Sequence, residues 1–183
     1  MRHRIFFLVA FFLLFGSTTI YGQVPTRYGG GLTGGNSYDP SSEITWVQGT
    51  AFALFDYETV WHHRAPDPLR FKVEAHAGVT VQPETRIITS ANILALYYLD
   101  GLVTGSWRIY MEAGIGIIYT DFMVEGQGLR INFNPQAGMG VEYSTSNDIT
   151  WFAGLRAHHI SNGGLDDDNR GINSVTFILG RYW

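Results

Sequence analysis

The sequence predicts an all-β fold, an eight-stranded antiparallel barrel that spans a membrane. The first observation is repeated alternation of apolar and polar residues, because successive side chains of a strand point to opposite faces. The second is the composition: charged residues make up only 15% of the chain, well below the share of about 25% in soluble domains. The third is the set of turn-like breaks that separate short alternating segments at regular intervals.

The N-terminal segment precedes the strands and is typical of a signal peptide. Arg2 and Arg4 give it a positive start, and the apolar core at 5–15 is too short to span a bilayer as a helix. Small and polar residues follow, with a predicted cleavage point after Gly22. We therefore predict a signal peptide at 1–22 and a barrel domain at 23–183, with an uncleaved membrane anchor as the alternative.

Seven strands follow from the alternation, and a glycine-rich segment at 27–36 supplies the eighth. The others are 44–57, 70–82, 85–99, 108–120, 132–142, 149–161 and a last strand that carries Asn173 near its beginning and reaches Trp183. The strand at 108–120 shows the pattern, with Met111 and Ala113 on one face and Glu112 and Gly114 on the other. No segment after the signal peptide is apolar for long enough to form a membrane-spanning helix.

Two barrel architectures fit this alternation. In a soluble barrel that carries lipids the apolar faces point inward, whereas in an outer-membrane barrel they face lipid. The polar faces favour the membrane barrel, since they hold glycines and isolated charges and Lys72 is the only lysine. An eight-stranded barrel has room inside only for packed side chains. We therefore predict Leu155 on the outer wall and Arg156 with Glu112 as an ion pair in the lumen.

Aromatic residues near the predicted strand ends fit the interface girdles of such barrels. They are Trp46, Trp61, Tyr97, Tyr98, Trp107, Tyr119, Tyr143, Trp151 and Trp183.

The segment from Arg156 to Asn173 holds the candidate catalytic residues. His159 and Ser161 are two residues apart on a strand, so they project from one face about 7 Å apart. A histidine beside a serine is the minimal pair of general base and nucleophile. A glycine-rich loop follows, and Asn173 returns beside Ser161 if that loop closes a hairpin. These residues share the apolar face, where polar groups are costly at a lipid boundary unless they are functional.

The run HISNGGL at 159–165, followed by NRGI at 169–172, resembles the site region of the PagL family, the lipid A 3-O-deacylases of the bacterial outer membrane. The family pattern is His-x-Ser-Asn-x-Gly, a short loop, Asn-x-Gly-Ile and a catalytic Glu. The resemblance implies His159 as the base and Ser161 as the nucleophile. It also implies that the oxyanion site is lined by Asn162, Gly164 and Asn169. The chain departs from the pattern where Asn173 stands in place of the Glu.

We interpret the chain as a serine esterase of the outer membrane that needs no cofactor and no metal. It would remove an ester-linked acyl chain from lipid A, with lipopolysaccharide and other outer-membrane lipids as its partners. The alternative is a non-catalytic small outer-membrane barrel whose hydrolase site has decayed at Asn173. Asn173 allows a slow enzyme, an inactive one, or one that borrows a carboxylate from elsewhere, and the nearest acids in sequence are Asp166, Asp167 and Asp168.

Other functions are excluded by composition. A net charge of −4 without a basic patch argues against nucleic acid. The absence of cysteine excludes disulfides and thiolate metal sites. The sequence leaves open which acyl chain is removed, whether calcium is needed and what the oligomeric state is.

Overall fold

The computed structural model describes residues 24–41 and 43–183, so the predicted signal peptide at 1–22 lies outside the described residues. The strands are β1 Arg27–Asp39, β2 Thr45–Asp56, β3 Leu69–Gln82, β4 Ile87–Tyr98, β5 Trp107–Thr120, β6 Ile131–Phe133, β7 Gln136–Ser144, β8 Thr150–Ile160 and β9 Ile172–Tyr182. Two connections hold short helices that the sequence did not predict, α1 Tyr57–Trp61 and a 3-10 turn at Asp100–Leu102. Among the described helices, none has the length and apolar character needed to cross a membrane.

The strands form one antiparallel sheet in the order β4-β3-β2-β1-β9-β8-β7-β5, and pairing of β4 with β5 closes it into a barrel. Strands β6 and β7 act as one strand of that barrel, because Phe133 and Gln136 keep the same register on β5 and on β8. Pro135 lies between them and has no N–H to donate, which interrupts the ladder. The predicted eight-stranded barrel is therefore confirmed.

The faces of the strands point as the alternation predicted. Leu155, Phe177 and Leu179 are 53%, 47% and 50% exposed, whereas Arg156 and Glu112 are each 3% exposed. The apolar faces form the outer wall and the polar faces fill the lumen. This inverted arrangement is the one that lipid requires, and it excludes the soluble barrel.

The lumen is filled by two apolar clusters and a network of charged residues. The predicted ion pair is present, with Arg156 Nε donating to Glu112 Oε1 at 2.7 Å. Lys72 Nζ lies 3.2 Å from carboxylate oxygens of both Glu74 and Glu112, and Arg156 also donates to Glu74. Two cations face two carboxylates, so the buried charges compensate one another.

Two aromatic residues predicted for the girdle lie in the lumen instead. Trp46 is 2% exposed and packs over Gly35, where a side chain would overlap its indole ring. Tyr98 is 1% exposed and donates its hydroxyl to Glu142 Oε1 at 2.8 Å. The prediction was wrong for these two because alternation turns each of them inward, and nearness to a strand end does not reveal the face. Exposed positions remain for Tyr97, Trp107, Tyr143, Trp151 and Trp183.

Candidate active site

Three neighbouring strands bring three polar residues into one row on the outer wall. Asn173 on β9 lies directly opposite His159 on β8 and, on its other side, opposite Asp39 at the end of β1. The register of β1 shifts between Ser37 and Asp39, so Tyr38 is the extra residue of a bulge. A bulge changes the direction of the side chains that follow it. Here it turns Asp39 toward Asn173.

The row is joined by hydrogen bonds. His159 Nδ1 lies 2.6 Å from Asn173 Oδ1, and Asn173 Nδ2 donates to Asp39 Oδ2 at 2.8 Å. Arg170 Nη2 donates to the other oxygen of Asp39 at 2.7 Å. The sequence placed Asn173 beside Ser161; in the barrel it pairs with His159, and Ser161 lies two residues further along the chain, just past the end of β8. This is the position that a group orienting the histidine needs.

The other edge of the imidazole ring lies over Gly171. A Cβ at Gly171 would be 2.5 Å from His159 Cε1 and 3.2 Å from His159 Nε2. Continuing the register of β8 and β9 by one pair beyond Ile160 and Ile172 sets Gly171 opposite Ser161. The ring edge that carries Cε1 and Nε2 therefore lies over the residue opposite Ser161, and the missing side chain of that residue makes room for the ring.

Ser161 is fixed through its backbone and free at its hydroxyl. Its N–H donates to Phe133 O at 3.0 Å, and its carbonyl accepts from Phe133 N at 2.8 Å. Throughout 24–41 and 43–183, neither Ser161 Oγ nor His159 Nε2 has a hydrogen-bond partner. Both side chains are partly exposed on the wall. The arrangement leaves a nucleophile and a basic nitrogen available to a group that arrives from outside.

The loop after Ser161 is held by Asn162, which is 1% exposed. Its backbone N–H donates to Asn169 Oδ1 at 2.8 Å, and its side-chain amide donates to Asp168 O at 2.8 Å. Its Oδ1 accepts from the N–H of Gly164 at 2.9 Å. The backbone amides of Asn162 and Gly164 are therefore engaged inside the loop. Asn169 Nδ2 remains a donor without a protein partner in the described part of the chain.

The acids predicted from sequence proximity do not reach the histidine. Asp166 accepts from the N–H of Asp168 at 3.0 Å, a contact within their own loop. The carboxylate in the row comes from Asp39, which lies outside the strands predicted from the sequence. No local pattern marks Asp39. It is 134 residues away from Asn173 in the chain and reaches it only because β1 pairs with β9.

The wall beside the row is lined by small side chains. A shallow depression reaches from His159 and Asn173 past Ala113, Ala137 and Ala157. It adjoins a second depression that shares Ala113 and Ala137 and continues to Met111, Met139 and Leu155. Within the described residues, no group of three or more His, Asp or Glu side chains is placed to hold a metal ion.

A closed barrel with an apolar wall and a charged lumen defines a small outer-membrane protein, and this one carries a His–Ser pair on its lipid-facing side. The sequence model of the family described as Lipid A 3-O-deacylase (PagL) matches residues 45–182. The chain belongs to this PagL family, and it is a protein of the bacterial outer membrane. A search of curated proteins gives no match.

Solved structures share the fold at low sequence identity. Neisserial surface protein A is 14% identical with a TM-score of 0.66, and the match covers 88% of this chain and 98% of that one. The outer membrane enzyme PagL is 18% identical with a TM-score of 0.55, covering 85% and 98%. OprG from Pseudomonas aeruginosa is 11% identical with a TM-score of 0.53, covering 87% and 95%. These likenesses support the barrel architecture.

Proposed function

We propose that this protein is an esterase that removes an ester-linked acyl chain from lipid A within the outer membrane. The observation that carries the proposal is a His–Ser pair on the lipid-facing wall, with the histidine anchored through Nδ1 and open at Nε2. The family of the chain supports the same reaction class. Lipid A or lipopolysaccharide would be the substrate, and none of the proposed steps uses a metal or a cofactor.

The reaction would proceed through an acyl-enzyme. Ser161 Oγ attacks the ester carbonyl carbon while His159 Nε2 takes the hydroxyl proton. The bond between that carbon and the sugar oxygen breaks, and the imidazolium gives its proton to the departing sugar oxygen, which leaves as a hydroxyl group. Water, activated by the same histidine, then releases the fatty acid and restores Ser161. Asn173 holds the ring in position through both steps, as the third member of a triad does.

The oxyanion of each tetrahedral intermediate needs fixed donors. Asn169 Nδ2 is the donor we assign, because its partner oxygen is held by the backbone of Asn162 and its amide hydrogens are free. Asn162 and Gly164 would act one step away, by fixing the shape of the loop that presents Asn169. Their own N–H groups are committed to that loop.

The place of the pair on the wall explains the choice of a membrane lipid as the substrate. A water-soluble ester would not gain from a nucleophile on the apolar exterior, whereas a lipid lies against it already. The depression lined by Ala113, Ala137 and Ala157 starts at His159 and would receive an acyl chain along the barrel. The alanine side chains there leave open space beside His159.

A second candidate is a non-catalytic barrel, favoured by the presence of Asn173 where the family pattern has a glutamate. An amide orients a histidine but does not supply the negative charge that stabilises an imidazolium. The two candidate functions predict different products when the protein is incubated with lipid A.

Purified, refolded protein mixed with lipid A in detergent micelles would be followed by mass spectrometry of both products. The esterase yields free fatty acid and lipid A lacking one acyl chain, and Ser161→Ala yields neither. Intact lipid A after prolonged incubation with the wild type would rule out the esterase and support the non-catalytic barrel.

A further inference from the structure

We infer that Asp39 supplies the carboxylate of this site and acts through Asn173 as a positioning residue that fixes the proton on His159. The inference rests on the proposed function for its catalytic meaning. Its geometric basis is independent of that function: a row of hydrogen bonds across β8, β9 and β1, from His159 Nδ1 through the Asn173 amide to Asp39 Oδ2.

The first step concerns the orientation of the Asn173 amide. An ionised carboxylate only accepts hydrogen bonds, whereas an amide has a donating nitrogen and an accepting oxygen. Asp39 Oδ2, 2.8 Å away, therefore requires the nitrogen of Asn173 on its side. The carbonyl oxygen must then face His159. Without the carboxylate, nothing in the described surroundings would prevent the amide from turning around.

The second step concerns the histidine. Asn173 Oδ1 only accepts, so His159 Nδ1, 2.6 Å away, must carry the proton. A neutral imidazole has a single N–H, which leaves the lone pair on Nε2. That is the nitrogen above Gly171, on the side of Ser161. The carboxylate thus selects the tautomer that is able to accept the Ser161 proton.

This tautomer is what an asparagine alone fails to secure. Replacing the triad aspartate of a serine protease by asparagine lowers kcat by about 10⁴-fold, because the histidine takes the wrong tautomer. Here Asn173 is backed by Asp39, which excludes the amide orientation responsible for that loss. Asp39 also places a negative charge near the imidazolium that forms in the reaction.

Two features surround the Asp39 carboxylate. The bulge at Tyr38 lets Asp39 face Asn173, and Arg170 binds the second oxygen of the carboxylate at 2.7 Å. Arg170 and Asn173 thus each bind one oxygen of the Asp39 carboxylate. The side chain of Asp39 is 45% exposed, so the row lies at the edge of the wall and not in the lumen.

The test is the tautomer of His159, read by nitrogen NMR of protein labelled at its histidines and refolded in micelles. The wild type should show a proton on Nδ1, with the signal assigned by its loss in His159→Gln. In Asp39→Ala the proton should move to Nε2 in a measurable share of molecules. An unchanged tautomer in Asp39→Ala would overturn the inference.

Activity provides the second readout. Asp39→Ala should lower kcat on lipid A by at least tenfold, toward the loss of about 10⁴-fold known for a wrong tautomer, with KM little changed. Asp121→Ala is the matched control, since Asp121 forms a comparable exposed pair with Arg130 at 2.9 Å but does not touch the row. An equal fall in both variants would mean that loss of an exposed acid, and not the row, lowers the rate.

A third variant separates positioning from simple tethering. Arg170→Ala removes the tie between β1 and the loop but leaves the Asn173 amide opposite a carboxylate, so His159 should keep its proton on Nδ1. A tautomer that changes equally in Arg170→Ala and Asp39→Ala would assign Asp39 a tethering role and contradict the inference. If the wild type fails to deacylate lipid A while the tautomer responds to Asp39→Ala, the proposed function falls and the row remains.

Discussion

Two His–Ser pairs lie at the same end of β8, and they face opposite sides of the wall. In the lumen, His158 Nδ1 lies 3.0 Å from Ser174 Oγ, and that hydroxyl also donates to His158 O at 3.2 Å. Outside, His159 Nε2 and Ser161 Oγ have no partner within the described chain. The inner pair is the better hydrogen-bonded of the two, and it has no access to lipid. Contact between the two residue types therefore does not identify a reactive site; unsatisfied groups in reach of a substrate do.

The charged side chains of the lumen have partners, as His158 and Ser174 do. Arg156, Lys72, Glu74 and Glu112 bind one another in a charge network that also includes His76 and Gln136. On the outer wall the row from His159 to Asp39 is instead open at one end, at His159 Nε2, while its other end is bound by Arg170. We read the lumen as the part that stabilises the barrel and the row as the part that reacts.

The largest expected effect distinguishes the two pairs directly. Ser161→Ala should remove deacylation, with a loss that approaches the roughly 10⁶-fold seen when a serine nucleophile is deleted. His159→Ala should do the same by removing the base. Both should fold, since a partly exposed side chain on the wall contributes little to stability. Rates would be measured as fatty acid released, and folding as the heat-dependent shift of barrel migration in detergent gels.

Removing a charge from the lumen should act on stability and leave the reaction unchanged. Arg156→Ala deprives two buried carboxylates of a cation, a change that costs about 3–5 kcal/mol in comparable sites. Denaturant unfolding in micelles would measure it. Arg86→Ala is the control, because Arg86 pairs with Glu84 on the surface, where such pairs contribute about 0–1 kcal/mol. Loss of kcat in the folded Arg156→Ala barrel would contradict the division between lumen and wall.

A smaller effect is expected at Gly171. In Gly171→Ala the new methyl would meet the imidazole at 2.5 Å and push Nε2 away from Ser161. A displacement of about 1 Å at a reacting group costs about 10²-fold in rate. Gly101→Ala is the matched control, since its Cβ would meet nothing within 4 Å. Unchanged turnover in Gly171→Ala would show that the ring does not need that position.

Restoring the family's glutamate tests how the outer row compensates for its absence. Asn173→Glu alone sets a second carboxylate beside Asp39, and like charges in contact oppose each other. Asn173→Glu combined with Asp39→Asn removes that repulsion, so the double variant should deacylate faster than the single one. A faster single variant would indicate that Asp39 does not contact position 173 in the working enzyme. The assay is the same release of fatty acid.

The smallest effect is expected from the acidic loop. Changing Asp166, Asp167 and Asp168 together to Asn should leave the rate within experimental error, because the row takes its carboxylate from Asp39. A clear fall in the deacylation rate would indicate that the loop, and not Asp39, supplies the carboxylate.

The sequence predicted the barrel well because a period of two is a local property. Within each strand the alternation itself indicates which side chains face the lumen and which face outward, as Arg156 and Leu155 illustrate. The pair His159 and Ser161 was accessible for the same reason, since both lie on one strand. The family resemblance added Asn173, which the structure joins to His159.

The contact that the sequence did not predict depends on how distant strands pair in the barrel. Asp39 meets Asn173 only because β1 pairs with β9 and because a bulge shifts the register by one residue. Neither event leaves a local signal. Trp46 is a different case, because its inward position follows from the alternation of its own strand, and Gly35 on the neighbouring strand makes room for its ring.

The most direct test compares the lipid A of cells that produce the wild type, Ser161→Ala or Ser174→Ala at equal levels in the outer membrane. Ser174→Ala leaves His158 without its partner, which costs about 1–3 kcal/mol of stability, but does not touch the outer row. Mass spectra should show lipid A lacking one acyl chain with the wild type and with Ser174→Ala, and intact lipid A with Ser161→Ala. Deacylated lipid A from the Ser161→Ala cells, or intact lipid A from the wild-type cells, would contradict the assignment of this outer-wall pair as an esterase.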